Sequence, residues 1–312
     1  MKDKAKYYLA VLLLAAAAAF GSVESGLLSR ILEEAAYIIA DMDDTQQEGR
    51  TSSGDSHLLR VTFIDAGQGD AALLQCDGHN MLIDAGKNDH GTELQKFLMD
   101  RGIETFDYLV GTHPDEDHIG GLDVMINKFP TEHVLMPKRE ADTRTYDDVI
   151  QAMKYYSIPL EHPDAGDQFY LGDAEVTVIG PVQETYSDSN NCSIVLMVRH
   201  GNCRFLFTGD AEEEAEADML EKGIQLKADV LKAGHHGSKS SSSQEFLDAV
   251  SPKVAVISCG VDNRYGHPHE ETLDKFQAMG VEVYRTDSDG TIVAESDGNH
   301  ITFHVTGKNV QQ

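Results

Sequence analysis

The stretch THPDEDHIGG, residues 112–121, decides how this sequence is read. It follows the apolar run DYLVGT (107–112), a strand by length and composition, and leads into a helix expected over residues 122–128. Strand-end loops are where layered α/β proteins build their sites. His113, Asp115, Asp117 and His118 put four metal-competent side chains within six residues. A regular element could not aim all four at one ion, but a tight loop distributes them as two pairs, His113 with Asp115 and Asp117 with His118. A solvated acidic loop capping the next helix is the simpler alternative. It is disfavoured because a loop so rich in His and acid is costly at a strand terminus without a cation.

Three later segments repeat the placement. FLFTGD (205–210) is an apolar strand ending on Asp210, LKAGHHGS (231–238) a strand ending on His235 and His236, and YGHPH (265–269) follows the strand VAVISCG. A single strand-terminal Asp is usually a cap and a single exposed His is usually surface. Together the endings point to a site.

The remaining chain alternates short apolar runs with helical periodicity. Strands are expected at LLRVTFID, AALLQC, NMLIDAG, EHVLMP, AEVTVIG, CSIVLMVRH, ADVLKAG, VEVYRT and TIVAE. Helices are expected over TELQKFLMDRG, closed by Gly102, and over residues 146–156, 212–222, 243–250 and 270–279. Such a mixture implies sheets covered by helices. Before this domain (58–306) stands a different grammar: Lys2, Lys4 and Lys6 precede LAVLLLAAAAAF (9–20), an export signal or signal anchor over residues 1–21. Residues 22–57 read as an amphipathic helix and a polar Gly/Ser-rich linker, and 307–312 as a tail.

With 25 Lys+Arg against 53 Asp+Glu in 312 residues, the formal charge is −28. That surface repels polyanions and disfavours a sequence-reading DNA-binding domain, but bound metal would invert the local field and leaves phosphodiester chemistry open. The four cysteines are expected as buried free thiols: a turn at residues 200–202 would set Arg199, not Cys192, opposite Cys203. His57, His79, His90, His133, His162, His200, His300 and His304 lack a second ligand at useful spacing and read as surface residues.

On the motifs FIDAGQGDA, LIDAG, THPDEDHIGG, NNCSIVL, LFTGD, AGHHGSKSS and YGHPH, taken in this order over residues 58–305, the sequence resembles the metallo-β-lactamase-fold hydrolases, specifically the extracellular domain of ComEC-type competence proteins and their free-standing relatives. The resemblance implies a four-layer αββα sandwich with a dinuclear site at one edge. It implies that His113 and Asp115 hold a first divalent metal, that Asp117, His118 and His236 hold a second with His235 as rival to His236, that Asp210 bridges both, and that Asp84 orients a ligand His from behind. Asn191, Ser238, Lys239 and Tyr265 are the expected substrate contacts. Position 115 is Asp where many members carry His, and the His expected shortly before the TGD strand is replaced by Asn190 and Asn191. The first site is therefore oxygen-rich, with Mn²⁺ or Mg²⁺ admissible there and Zn²⁺ favoured overall.

Two cations about 3.5–4 Å apart would activate water for attack on phosphorus or a carbonyl carbon. Asp117 could accept its proton, and His267 or His269 could stabilise developing charge or protonate the leaving oxygen. The leading expectation is an exported metal-dependent phosphodiesterase or nuclease-like hydrolase, acting on a small or phosphodiester substrate, with single-stranded DNA held weakly. The membrane would be met only through the N-terminal segment. The alternatives are a carboxyl-ester, lactone or β-lactam hydrolase and a non-catalytic, metal-stabilised exported binding module.

Overall fold

The computed structural model describes residues 57–307. The export segment, amphipathic helix and linker expected up to residue 57 lie outside the described residues apart from His57 itself, as does the tail beyond Gly307. Among the described residues no helix is long and apolar enough to cross a membrane.

Two mixed sheets are packed face to face. The first holds β1 (Leu59–Phe63), β2 (Ala72–Cys76), β3 (His79–Ile83), β4 (Phe106–Val110), β5 (Thr131–Leu135), β6 (Leu160–Glu161), β14 (Ile292–Ser296) and β15 (Ile301–Val305), in the order β15-β14-β1-β2-β3-β4-β5-β6. The second, ordered β13-β12-β11-β10-β9-β8-β7, holds β7 (Gln168–Leu171), β8 (Ala174–Gly180), β9 (Val195–His200), β10 (Cys203–Phe207), β11 (Val230–Lys232), β12 (Val254–Ile257) and β13 (Glu282–Arg285). Strand alternation sends Leu59, Val61, Phe63 and Leu74 to the layer between the sheets, where they meet Val176, Leu196, Phe205 and Val230. Leu73, Leu82 and Leu109 point outward under the helices Gly91–Asp100, Leu122–Lys128 and Arg144–Tyr156. On the far side Leu206, Leu231 and Ala255 meet Glu213–Glu221, Gln244–Val250 and Glu270–Met279. The result is the expected four-layer αββα sandwich.

Phe63 and Phe207, the last residues of β1 and β10, stack with ring centroids 5.8 Å apart. They join the two sheets where those strands end. Phe→Ala at such a fully buried ring costs about 3–5 kcal/mol.

Some expectations are corrected. The hairpin turn is the two-residue Gly201–Asn202, so His200 rather than Arg199 stands opposite Cys203. Gly201, at φ +58, supplies the conformation that a two-residue turn requires. All four cysteines are free and buried. His200 is buried, its Nδ1 3.0 Å from Ser296 Oγ, and is no surface residue. The strand expected from Cys192 begins at Val195, because residues 190–192 form a 3₁₀ turn. The edge strands β7 and β15 were not expected. Half-exposed and mixed in polarity, they lack a clean apolar run.

Candidate metal centre

Parallel strands carry the site. β3 and β4 in one sheet and β10, β11 and β12 in the other are followed by the loops that meet at one edge of the sandwich. β3 runs into Asp84, whose φ of +59 turns the carboxylate back under the next loop. Asp84 Oδ1 accepts from Thr112 N at 2.8 Å, and Oδ2 accepts from Thr112 Oγ1 at 2.8 Å and lies 2.8 Å from His118 Nδ1. That fixes His118 with its Nε2 3.2 Å from Asp210 Oδ1. Asp210 follows β10, and its main-chain N donates to Ser193 Oγ. His236 follows β11; its Nδ1 donates to Ser258 O at 3.0 Å, and its Nε2 lies 3.4 Å from Asp117 Oδ2 and 3.7 Å from Asp210 Oδ2. His113 is fully buried, its Nδ1 near the hydroxyls of Thr112 and Ser193 and its Nε2 3.9 Å from Asp115 Oδ2. Gly69 allows this convergence, since a Cβ there would meet Asp117 O at 2.5 Å.

The atoms that face the centre are left without partners. His113 Nε2, His118 Nε2, His236 Nε2 and Asp210 Oδ1 are buried and make no hydrogen bond among the described residues. Each orphan costs about 1–3 kcal/mol, and a shared cation removes the penalty at a stroke. His113, His118 and Asp210 form one group with ligand atoms within 4.8 Å, and Asp117, His118 and His236 form another. His118 belongs to both rather than to one side, and Asp115 stands apart at the mouth with its side chain 46% exposed. The donor chemistry, imidazoles with carboxylates, fits two neighbouring divalent ions.

Electrostatics divides the two adjacent histidines. Burial, reinforced by His118, pushes His113 down to about 4. Burial also opposes charge on His118 and His236, but Asp210, with Asp84 for the one and with Asp117 and Asp70 for the other, outweighs it; His118 rises well above its usual value and His236 to about 10. The same contacts overcome burial to hold Asp117 and Asp210 well below the carboxylate range. Protons on two imidazoles thus stand where cations would, and metal binding must displace them.

Around this floor runs a rim of rings. His235 is a quarter exposed, with Nδ1 3.0 Å from Glu212 Oε1 and Nε2 3.8 Å from Asp210 Oδ2. His267 lies 5.4 Å from the His235 ring and 4.9 Å from His269, its Nδ1 buried without a partner. Tyr265 stacks on His267 at 5.6 Å and carries the Arg264 guanidinium on its other contact, 4.8 Å from the ring centroid. Asn263 shapes the loop: Oδ1 accepts from Tyr265 N and His267 N, and Nδ2 donates to Gly260 O and His267 O.

The expected substrate contacts are not all brought to the mouth. Asn191 is buried, its Oδ1 accepting from Glu212 N and Ala215 N, so it caps the helix Glu213–Glu221. Ser238 is buried with its hydroxyl 2.9 Å from Ser240 Oγ. Lys239 uses its main-chain N to donate to His269 Nδ1 at 3.0 Å while its side chain is exposed. Asp70 and Lys232 went unassigned on sequence, although a lysine inside the apolar strand ADVLKAG signalled a buried partner.

The comparisons agree with this architecture. A model of the metallo-beta-lactamase superfamily matches residues 64–261. "ComE operon protein 3" of Bacillus subtilis (strain 168) is 34% identical over 263 residues, covering 78% of this chain and 34% of that protein. "Competence protein ComA" of Neisseria gonorrhoeae is 32% identical over 234 residues, 74% of this chain and 31% of that protein. The chain therefore spans about a third of the length of these curated relatives. Among solved structures, the metallo-beta-lactamase fold protein YhfI of Bacillus subtilis has a TM-score of 0.51 at 13% identity, covering 77% of this chain and 100% of that one. CmlA, a diiron beta-hydroxylase from Streptomyces venezuelae, gives 0.51 at 16%, covering 88% and 58%. At such identities these two speak for fold alone. By the matched family model the chain belongs to the metallo-beta-lactamase superfamily, and its sequence is similar to the competence proteins named above.

Proposed function

We propose that this chain hydrolyses phosphodiester bonds with bound divalent metal, and that it acts outside the cytoplasm. The observation that carries the reading is the set of buried, unpartnered Nε2 atoms of His113, His118 and His236 converging on Asp210, beneath a rim of imidazoles. His113, Asp115, Asp117, His118, Asp210 and His236 would hold the cations, with Zn²⁺ favoured and Mn²⁺ or Mg²⁺ admissible on the Asp115 side. Bound there, divalent ions supply Lewis acidity toward a phosphoryl oxygen and make water acidic enough to be a nucleophile near neutral pH.

The chain's own groups do the rest. Asp84 and Thr112 hold His118 in one tautomer. Asp117, a quarter exposed, is the carboxylate able to take a proton at the mouth. Because Lys239 N–H donates to His269 Nδ1, the neutral His269 ring carries its proton on Nε2, the state that donates a hydrogen bond to a phosphoryl or leaving oxygen. Arg264, held over the Tyr265 ring, favours an anionic substrate over a neutral ester. The relatives named as competence proteins support a nucleic-acid substrate, and the charge of −28 favours short or single-stranded pieces loosely held. The basic, then apolar start of the chain supports export.

Purified protein loaded with Zn²⁺ or Mn²⁺ should hydrolyse bis(4-nitrophenyl) phosphate and a labelled single-stranded oligonucleotide, and chelation should stop it. Turnover of a lactone or a β-lactam with neither phosphodiester cleaved would overturn the substrate reading. Fusion of residues 1–57 to an exported-enzyme reporter tests the location.

A further inference from the structure

We propose that the buried Lys232–Asp70 ion pair is a positioning device for His236, holding that imidazole against the metal cluster and strengthening its grip on a divalent cation. The inference rests on the metal-dependent reading above, with His236 among the cation-holding residues.

Lys232 ends β11, a strand buried throughout. Lysine is almost never buried unless paired. Its Nζ lies 2.6 Å from Asp70 Oδ2 and donates to Ala233 O at 3.0 Å, the two side chains 3% and 7% exposed. The other carboxylate oxygen, Asp70 Oδ1, makes no hydrogen bond among the described residues and stands 3.2 Å from His236 Nδ1. That nitrogen already donates to Ser258 O. Nδ1 therefore keeps its proton, with a carboxylate beside it, and Nε2 is the nitrogen whose proton a metal displaces, facing Asp117 and Asp210. A carboxylate behind an imidazole fixes its tautomer and raises the basicity of its free nitrogen.

Lys232 supplies what Asp70 alone would lack. A single buried carboxylate is penalised by several kcal/mol, and the ammonium offsets that. Lys232 also keeps Asp70 out of the cluster. Asp70, Asp210 and His236 lie close enough to hold an ion by themselves, as do Asp70, Asp84 and His118. With Oδ2 committed to Lys232, Asp70 acts from behind His236. Burial works against its charge, but Lys232 and His236 prevail and keep its carboxyl down at about 2. The main chain braces the same corner: Asp70 N donates to Asp117 O and Gly86 N donates to Asp70 O. Both members of the pair line a cavity of about 10 Å³ with Asp84, Thr112 and Ser258, near the size that admits one water.

The test uses the full chain and four variants: Lys232→Met, Asp70→Asn, the double variant and His236→Ala. Zn²⁺ affinity and stoichiometry are read by competition with a chromophoric chelator, and the His236 tautomer by ¹⁵N NMR of the Zn²⁺-loaded protein. Each single variant should weaken one Zn²⁺ site by about 10- to 100-fold. The double variant removes both charges together and so decides the matter if a single variant fails to fold. It should keep the wild-type urea midpoint to within the span of the single variants, yet bind Zn²⁺ as weakly as they do, with a mixed His236 tautomer. A double variant with wild-type Zn²⁺ affinity and an unmixed tautomer would show the pair to be structural only and overturn the inference. Unchanged Zn²⁺ binding in His236→Ala would instead overturn the reading of His236 itself.

Discussion

The floor and the rim of the site use the same side chain for different ends. On the floor, His113, His118 and His236 are buried, their Nδ1 atoms set against Thr112 and Ser193, against Asp84, or against Ser258 O. On the rim, His235 and His269 are partly open, and His267, buried between them on a loop that Asn263 ties together, packs edge to face with both rings. Burial with a carboxylate behind makes an imidazole a fixed ligand. At the mouth, a main-chain donor behind His269 fixes its neutral tautomer and turns Nε2–H toward a substrate.

That contrast can be broken by substitution. Asp210→Ala removes the carboxylate that faces both His118 and His236; metal content should fall and turnover should drop by at least about 10⁴-fold, checked by elemental analysis and phosphodiester assay. His269→Ala should keep metal content and melting temperature while lowering kcat by roughly 10²- to 10⁴-fold; loss of metal would move His269 to the floor. Chelation should lower the melting temperature by roughly 5–15 °C, the range expected when about 3–4 kcal/mol of binding free energy is withdrawn from a domain of this size. Asp84→Asn should weaken metal binding about 10- to 100-fold, measured by competition, with the fold intact by circular dichroism. Tyr265→Ala should raise KM about fivefold for an oligonucleotide and leave it unchanged for a small phosphodiester, the signature of a stacking contact worth about 1 kcal/mol.

The floor was legible because ligand-type residues ended short apolar strands at His113, Asp210 and His236, and such endings are local. The sandwich was legible for the same reason, since β1, β4, β10 and β12 are plain apolar runs. What escaped was non-local. Nothing in the neighbourhood of Asp70 announces Lys232, because the ion pair exists only once β11 lies beside the start of β2. Asn191 and Ser238 look like contacts beside motif residues, yet both are consumed by capping and turn hydrogen bonds. The hairpin register failed by one residue because a Gly-Asn pair closes a tighter turn than three residues would.

His235 and His236 both adopt left-handed backbone, at φ +49 and +54, where glycine would rest more easily. Two consecutive side chains held there forfeit on the order of 1–3 kcal/mol each. Glycine at 235 would relieve that strain but would remove the ring that stands 3.8 Å from Asp210 Oδ2 and 3.0 Å from Glu212 Oε1. A histidine in this strained backbone marks the turn as a place where the molecule surrenders resilience to hold a functional group at the mouth. Stabilising exchanges at this turn should therefore be judged by turnover as well as by melting temperature.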